Sequence, residues 1–116
     1  MELEKIQEFV GKLPGVTEDI KWGNDLCFLV AGKMFSVVGL SNTPLTISFK
    51  TTDEKFAELI SRPQIIPAPY LAKHHWVYLE DIHALPKAEL LEHLNDAHMI
   101  IAKKLPAKKR KELGIE

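Results

Sequence analysis

The chain has 116 residues, of which 46% are hydrophobic and 27% are charged, and its formal net charge is −1. This composition is typical of a soluble globular protein and excludes disordered and collagen-like chains. The single cysteine, Cys27, excludes an internal disulfide and a multi-cysteine metal site. No apolar segment approaches the roughly 20 residues that cross a bilayer, and the N-terminus lacks the features of a signal peptide. We therefore expect a cytoplasmic protein with no membrane partner.

We expect a single domain, residues 1–116, because a chain of this length buries enough surface to fold without a metal or a disulfide. Its charge is unevenly distributed. Residues 103–116 carry six basic and two acidic side chains, a net charge of +4, whereas the preceding residues carry nine basic and fourteen acidic ones, a net charge of −5. A basic tail at about 106–116 can therefore meet phosphates, while the acidic body argues against tight, non-specific coating of nucleic acid.

The N-terminal part of the chain predicts one helix followed by a loop. Apolar residues recur every three or four positions over residues 2–13, which is typical of an amphipathic helix. Pro14 and Gly15 end this helix. Residues 16–24 show no sustained period and are predicted to form a connecting loop, with Trp22 as its anchor in the core.

The next part of the chain predicts three strands. Two apolar runs, residues 26–31 and 34–40, are joined by Gly32 and Lys33, which have the length and chemistry of a tight hairpin turn. Residues 45–50 then alternate strictly between apolar and polar side chains. The pattern predicts an antiparallel meander with one buried face and one polar face.

Two further helices are predicted in the second half. Thr51 and Glu54 have the spacing of a capping box, which indicates a short middle helix that ends before Pro63. Pro86 suits the first turn of a long C-terminal helix, whose apolar stripe extends to about Leu105.

Between these helices, the segment 67–79 combines two prolines, aromatic rings, two histidines and a lysine. A brief extended piece at residues 64–66 precedes it, and the His-Trp-Val-Tyr-Leu run at residues 75–79 is predicted to form a strand. Alternation would place three side chains on one face: His74, Trp76 and Tyr78. The predicted fold is therefore α+β, with an antiparallel sheet (a three-strand meander plus a later strand) and N-terminal, middle and long C-terminal helices.

Five histidines raise the question of a metal site, and two of them lie on the last helix. His93 and His98 are five residues apart, about 140° around a helix, so they cannot share one ion. Glu89 and His93 have a suitable spacing, but no third ligand accompanies them. We expect no metal site and no cofactor, and we interpret His98 as a boundary histidine hydrogen-bonded to the backbone.

Motifs for catalysis are absent: the sequence has no GxSxG, no HExxH and no glycine-rich phosphate loop. Cys27 lies in an apolar run and is interpreted as a buried hydrophobe rather than a nucleophile. Glu80, Asp81 and His83 offer an acid–base cluster, but a solvated loop is the commoner meaning of such a cluster. We expect a non-enzymatic protein without catalytic residues.

The side chains of this sequence support nucleic-acid binding better than they support catalysis or metal binding. Aromatic rings on a polar sheet face can stack on bases while lysines neutralise phosphates. The candidate contacts are Tyr70, Lys73, His74, Trp76, Lys103, Lys104, Lys108, Lys109 and Arg110. In the alternative interpretation, Trp76 is packed beneath the helices and the lysines form a solvated C-terminus, where Lys103 and Lys104 balance the helix dipole. The residues alone leave both interpretations open.

Six short motifs occur in a defined order along the chain. They are Leu13-Pro14-Gly15-Val16-Thr17-Glu18, Trp22-Gly23, Gly32-Lys33-Met34-Phe35, Phe49-Lys50, the segment 67–79, and Ala102-Lys103-Lys104-Leu105-Pro106. In this order and spacing the chain resembles the MmcQ/YjbR family of small bacterial proteins, over residues 3–113. The resemblance implies a CyaY-like α+β fold and, through the "double wing" arrangement of strands described for the family, DNA binding.

Residue chemistry and resemblance together lead to the hypothesis of a small, non-enzymatic cytoplasmic protein that binds DNA weakly. The alternative is a protein–protein interaction module or a homo-oligomer, which would recruit a protein partner or a second copy of the chain through the sheet face or the C-terminal helix. The wide apolar edge of the last helix is the observation behind this alternative.

Overall fold

The structure is a computed structural model that describes residues 3–69 and 71–115. In chain order its helices and strands are α1 (Leu3–Gly11), β1 (Val16–Lys21), β2 (Asp25–Val30), β3 (Lys33–Gly39), β4 (Thr46–Lys50), α2 (Asp53–Leu59), β5 (Ile65–Pro67), β6 (Trp76–Leu79), α3 (Lys87–Ala102) and α4 (Ala107–Glu112). Two short 3₁₀ turns, Ala72–His74 and Ile82–Ala84, flank β6. Within the described ranges, no helix has both the length and the apolar character needed to span a membrane.

The strands form one antiparallel sheet in the order β1-β2-β3-β4-β6-β5. One side, which we call the helical face, packs against α1, α2 and α3 and holds the core. Rows of opposed side chains fill it, such as Leu26 with Val38 and Ile47 with Leu79. Since successive side chains on a strand point to opposite sides, the other set projects from what we call the open face. The predicted α+β architecture is confirmed.

The predicted meander is present as β2, β3 and β4. Ala31 and Gly32, which connect β2 to β3, both have positive φ angles, 50° and 77°. Such a turn matches the right-handed twist of the strands that it joins. In β4, Ile47 and Phe49 are fully buried on the helical face, while Ser48 lies on the open face. The alternation of β4 therefore marks the two sides of the sheet correctly.

The prediction of a loop at residues 16–24 is wrong, because β1 pairs with β2 along six positions. β1 is an edge strand, and its four central residues are exposed. Without a buried face it has no apolar alternation to reveal it. Trp22, which the sequence predicts as a core anchor, is instead 70% exposed in the turn after β1, with a φ of 51°.

The middle helix begins one residue later than the capping box indicates. Its N-cap is Thr52, whose hydroxyl accepts a hydrogen bond of 3.2 Å from the backbone N–H of Lys55. Thr51 is buried, and its own N–H donates to the carbonyl of His75 at 2.9 Å. Thr51 therefore extends the pairing between β4 and the residue before β6 rather than starting a helix.

The long C-terminal helix begins at Lys87, with Pro86 as its N-cap rather than in its first turn, and it ends at Ala102 rather than near Leu105. Pro106 explains the difference, because a proline disfavours helical geometry at the residue before it. Leu105 is nevertheless buried, at 5% exposure, in the turn that leads to α4.

The segment predicted as a basic tail is a packed part of the domain. Gly114, with a φ of 76°, closes α4, and the N–H of Ile115 donates to the carbonyl of Arg110 at 2.8 Å. This is a Schellman arrangement, in which a glycine in the left-handed region satisfies the last carbonyls of a helix. Ile115 is 6% exposed and belongs to the core. The charges on α4 are therefore carried by an anchored helix.

Candidate nucleic-acid interface

The segment 67–79 joins the sheet later than its sequence pattern indicates. His74 belongs to the 3₁₀ turn Ala72–His74, and His75 has a φ of 60°, which interrupts extended geometry. β6 therefore begins at Trp76, and the prediction that His74 shares a strand face with Trp76 is wrong. From Trp76 onward the alternation is as predicted, since Trp76 and Tyr78 stand opposite open-face positions of β4.

Trp76 is only 5% exposed. Its carbonyl accepts a hydrogen bond from the N–H of Ala68 at 3.0 Å, and its N–H donates to the carbonyl of Leu71 at 3.4 Å. The loop between β5 and β6 therefore folds back on the start of β6. With its ring covered, the indole offers no free surface for stacking on a base. Tyr70, the other predicted aromatic contact of this loop, lies outside the described residues.

The cationic side chains meet at a different place, around Lys50. Lys73 and His74 are exposed on the 3₁₀ turn, which is tied to β4 because Lys50 Nζ donates to the carbonyl of His74. Burial lowers the pKa of the Lys50 ammonium, and the positive charge of Lys104 lowers it further. The 3₁₀ turn therefore contacts Lys50, and Lys103, which directly follows α3, lines a small pocket together with Thr51, the residue after Lys50. We call this group the cationic patch: Lys50, Lys73, His74, Lys103 and Lys104.

Carboxylates contact two further side chains beside the patch, a histidine and a lysine. His75 Nε2 lies 2.5 Å from Asp53 Oδ1, and Lys55 Nζ lies 2.7 Å from Asp96 Oδ2. The hydrogen bond to Asp96 raises the pKa of Lys55, which keeps that ammonium charged as a partner of the carboxylate. The patch is therefore a local positive region bordered by paired charges, and this limits its strength.

The remaining predicted phosphate contacts lie on α4. Lys108 is exposed, and Lys109 Nζ is 3.7 Å from a carboxylate oxygen of Glu112. Arg110 is half-buried, and its Nε has no hydrogen-bond partner among the described residues. These three side chains lie beyond the turn at Leu105, on a helix separate from the cationic patch. Their part in binding stays a prediction.

The open face carries a groove of about 690 Å³ that the sequence does not predict. Val37, Ser48 and Tyr78 contribute to its floor from β3, β4 and β6. Trp22 borders it from the β1–β2 turn, and Leu71 borders it from the loop before β6. The lining comes from many separate elements, so the sequence has no continuous motif for the groove. The polar residues of β4 are the one sequence feature that indicates a sheet face without helices on it.

Glu89 and His93, the pair with metal-compatible spacing, belong to an ion-pair network. Arg62 donates from both terminal nitrogens to the Glu89 carboxylate, at 2.5 and 3.2 Å. His93 Nε2 lies 3.6 Å from Glu89 Oε2. No group of three or more His, Cys, Asp or Glu residues in residues 3–69 and 71–115 is arranged to hold a metal ion.

Cys27 is fully buried on β2, as its apolar sequence context predicts. Burial raises the pKa of its thiol, and the carboxylates of Asp25 and Asp19 act in the same direction while Lys21 opposes them. A buried, protonated thiol is a poor nucleophile. The side chain therefore contributes to packing.

The Arg62–Glu89 pair predicts an acid-dependent part of the stability. Hydrogen bonds from Arg62 lower the pKa of Glu89 below its ordinary value, although burial opposes them. Because the folded-state pKa is depressed, the contribution is present above the unfolded pKa and is lost as the pH falls through the folded one. The side chains of Arg62 and Glu89 are 31% and 34% exposed, which weakens the pair by solvent screening. We expect Glu89→Gln to lower the free energy of unfolding by about 1 kcal/mol at neutral pH.

Urea unfolding of the two proteins at pH 7 and pH 3 measures this difference. The loss should be smaller at pH 3, because the stabilisation that comes from the depressed pKa of Glu89 decreases as the pH falls below the unfolded-state pKa. Glu92→Gln, an exposed neighbour on α3, is the matched control and should have little effect at either pH. An equal loss at both pH values for Glu89→Gln would show that the pair does not titrate with folding.

Comparisons with known proteins agree with this fold. A family model described as YjbR matches residues 11–100. The chain is similar to the crystal structure of Deinococcus radiodurans protein DR2400, a DUF419 domain, with 28% identity and a TM-score of 0.88 over 98% of this chain and 88% of that one. A crystal structure of a Pseudomonas syringae protein is similar in fold alone, with 18% identity and a TM-score of 0.70 over 86% and 98% of the two chains. No curated protein matches the sequence.

Proposed function

This chain belongs to the YjbR family, whose model spans residues 11–100, and from that premise we propose that it is a small, non-enzymatic cytoplasmic protein that binds DNA weakly. The observation that carries the proposal is that Lys50 binds the 3₁₀ turn at His74, while Lys103 shares a small pocket with Thr51, the residue after Lys50. Two groups of cations that are about 30 residues apart in the sequence thereby form one surface, the cationic patch.

The chemistry of the patch suits phosphates rather than bases. A lysine ammonium is a compact point charge that neutralises a phosphate without reading sequence. The covered ring of Trp76 removes the stacking contact that the sequence predicts, so affinity comes from charge neutralisation. The acidic body of the protein, with a net charge of −5 before residue 103, repels DNA elsewhere and keeps the binding weak.

A salt titration with a labelled duplex tests the proposal. If roughly four or five phosphates are neutralised, the logarithm of the affinity should fall with the logarithm of the salt concentration at a slope near −4. Fluorescence anisotropy over the range from about 50 to 200 mM salt gives this slope. The absence of binding at the lowest salt concentration would refute DNA binding.

Paired variants locate the contact. Lys73→Gln with Lys104→Gln removes two cations of the patch, and the slope should become shallower by about 2. Lys5→Gln with Lys87→Gln removes the same charge from exposed sites on α1 and at the opposite end of α3, and should leave the slope nearly unchanged. Equal effects of the two double variants would mean that net charge, and not the patch, governs binding.

The alternative function, a protein-interaction module or homo-oligomer, is favoured by three exposed apolar side chains, one on β1, one on β5 and one in the β1–β2 turn. Ile20, Trp22 and Ile66 are 51%, 70% and 37% exposed. The second apolar edge of α3 offers less support, because Leu91 and Ile101 pack against the core. Sedimentation equilibrium distinguishes the alternatives: a monomer that binds DNA supports the leading proposal, whereas a stable dimer whose mass falls with Trp22→Ser supports the second.

A further inference from the structure

We propose that the groove on the open face is a binding site for a small, flat aromatic molecule that carries a positive charge. This site lies outside the cationic patch, and the proposal does not depend on DNA binding. It rests on the shape of the groove, on the position of Trp22, and on the charge of the lining.

The size and composition of the groove suit a small molecule. Its volume of about 690 Å³ falls within the range of typical ligand pockets, about 300–1,000 Å³. Apolar side chains make up much of the lining, including Met34, Val37 and Leu71. A few polar groups at fixed positions in such a pocket orient a ligand. Here these groups come from β4 and β6, as the hydroxyls of Ser48 and Tyr78.

Gly39, which lines the groove, leaves room for two neighbouring polar side chains. A Cβ at this position would collide with the side chains of Asn42 and Thr46, which occupy the space above it. The amide nitrogen of Asn42 donates to the Thr46 hydroxyl at 2.9 Å, which fixes both side chains at the rim. The carbonyl oxygen of Asn42 therefore has a defined direction from which it can accept a hydrogen bond.

Trp22 is the strongest indication of a ligand. A tryptophan buries about 150–250 Å² when it packs, yet Trp22 is 70% exposed and borders the groove. Its φ of 51° is also uncommon for a bulky side chain. An exposed ring held in an uncommon backbone conformation beside a groove is explained by a function in stacking. A flat aromatic ligand would cover this ring.

The charge of the lining selects the ligand. Asp25 is the one ionisable carboxyl or amine group among the described lining residues, so the groove offers an anion no cationic partner. Lys21 stands opposite Asp25 in the β1–β2 ladder, but no ion pair joins them in the part of the chain that the structure describes. A positive nitrogen on the ligand would bind the Asp25 carboxylate, and an aromatic ring would attract the same cation.

Three probes with the same two-ring body test the proposal: 1-naphthylmethylammonium, 1-naphthylmethanol and 1-naphthoate. The chain has two tryptophans, so the indole N–H signals of Trp22 and Trp76 in a ¹H–¹⁵N spectrum report the groove and the buried site separately. We expect the cation to shift the Trp22 signal saturably and to bind about tenfold more tightly than the alcohol, with the anion weakest.

Variants assign the two contacts. Asp25→Asn should abolish the preference for the cation, whereas Lys21→Gln should increase it. Trp22→Ala should weaken the binding of the cation and of the alcohol by the same factor, about tenfold in Kd. The double variant of Lys73 and Lys104 described above should bind all three probes as the native protein does, which separates this site from DNA binding.

Several results would overturn the proposal. One is the absence of saturable shifts at Trp22 with any probe, and another is binding of the anion as tight as that of the cation. A Trp22 signal that changes with protein concentration alone would assign the groove to a second copy of the chain. Saturable shifts that centre on Trp76 would place the ligand elsewhere.

Discussion

Replacing His98 by alanine is expected to lower the free energy of unfolding by about 3 kcal/mol. His98 lies on α3, is 1% exposed, and makes an edge-on contact with the ring of Phe35 at a centroid distance of 5.5 Å. Its Nε2–H donates to the carbonyl of Pro14 at 2.8 Å, which confirms the predicted bond to the backbone. Alanine leaves a cavity and removes the side chain that donates to the Pro14 carbonyl. Urea unfolding monitored by circular dichroism measures the loss.

A second variant of His98 separates the hydrogen bond from the packing, and a variant of an exposed histidine is the control. His98→Gln retains a donor and much of the volume, so it should be less destabilising than alanine. His74→Ala removes an exposed histidine and should change stability by no more than about 0.5 kcal/mol. A loss below about 1 kcal/mol for His98→Ala would mean that the contact between α3 and Pro14 contributes little to the fold.

Replacing Ile115 by alanine is expected to cost about 2 kcal/mol. This residue follows a short, strongly charged helix, yet it is 6% exposed and part of the core. The Schellman arrangement at Gly114 turns the chain so that the Ile115 side chain packs into the core. The hydrogen bond from the N–H of Ile115 to the carbonyl of Arg110 stabilises this turn. The expected loss reflects an apolar side chain removed from a packed site near the surface.

Lys111→Ala is the matched control for this prediction, because it changes an exposed side chain on the same short helix. It should alter the free energy of unfolding by less than about 0.5 kcal/mol. A similar, small effect for both variants would mean that residues 106–115 are a loose tail, as their composition indicates. The expected difference would instead support α4 as an anchored carrier of the C-terminal charges.

The predictable parts of the fold are those in which sequence pattern and burial coincide. β4 alternates because one side packs against the helices, and Ile47 and Phe49 are fully buried as their spacing predicts. The start of α3 is predicted to within one residue by Pro86, whose missing N–H is harmless at the N-terminal end of a helix. In these segments local preference and tertiary packing favour the same structure.

The unpredicted parts depend on contacts that are distant in sequence. β1 forms through its ladder with β2 while its central side chains remain exposed, so its own sequence has no period to detect. Ile115 follows a run of charged residues that is typical of a solvent-exposed segment. The turn at Gly114, which this pattern does not indicate, places its side chain in the core.

The candidate site also has parts that the sequence predicts and parts that depend on contacts between distant residues. Lys73 and Lys104 could be proposed from composition, but their shared surface depends on Lys50, a residue that strand alternation marks only as polar. Trp76 has the composition of a stacking residue and is covered by the loop that precedes it. The groove has no sequence signature, since Trp22 and Asp25 meet Tyr78 only across four strands of the sheet.

The exposed edge strand β1 also bears on how the protein avoids aggregation. A free strand edge is a template on which another chain can extend the sheet. If two copies of β1 paired antiparallel about their centre, Glu18 would stand opposite Glu18 or Asp19 of the other copy. Directly opposed carboxylates destabilise a ladder. The charged side chains that remove the apolar alternation from β1 therefore also oppose the pairing of two β1 edges. Any self-association of the protein is expected to use a surface other than this edge.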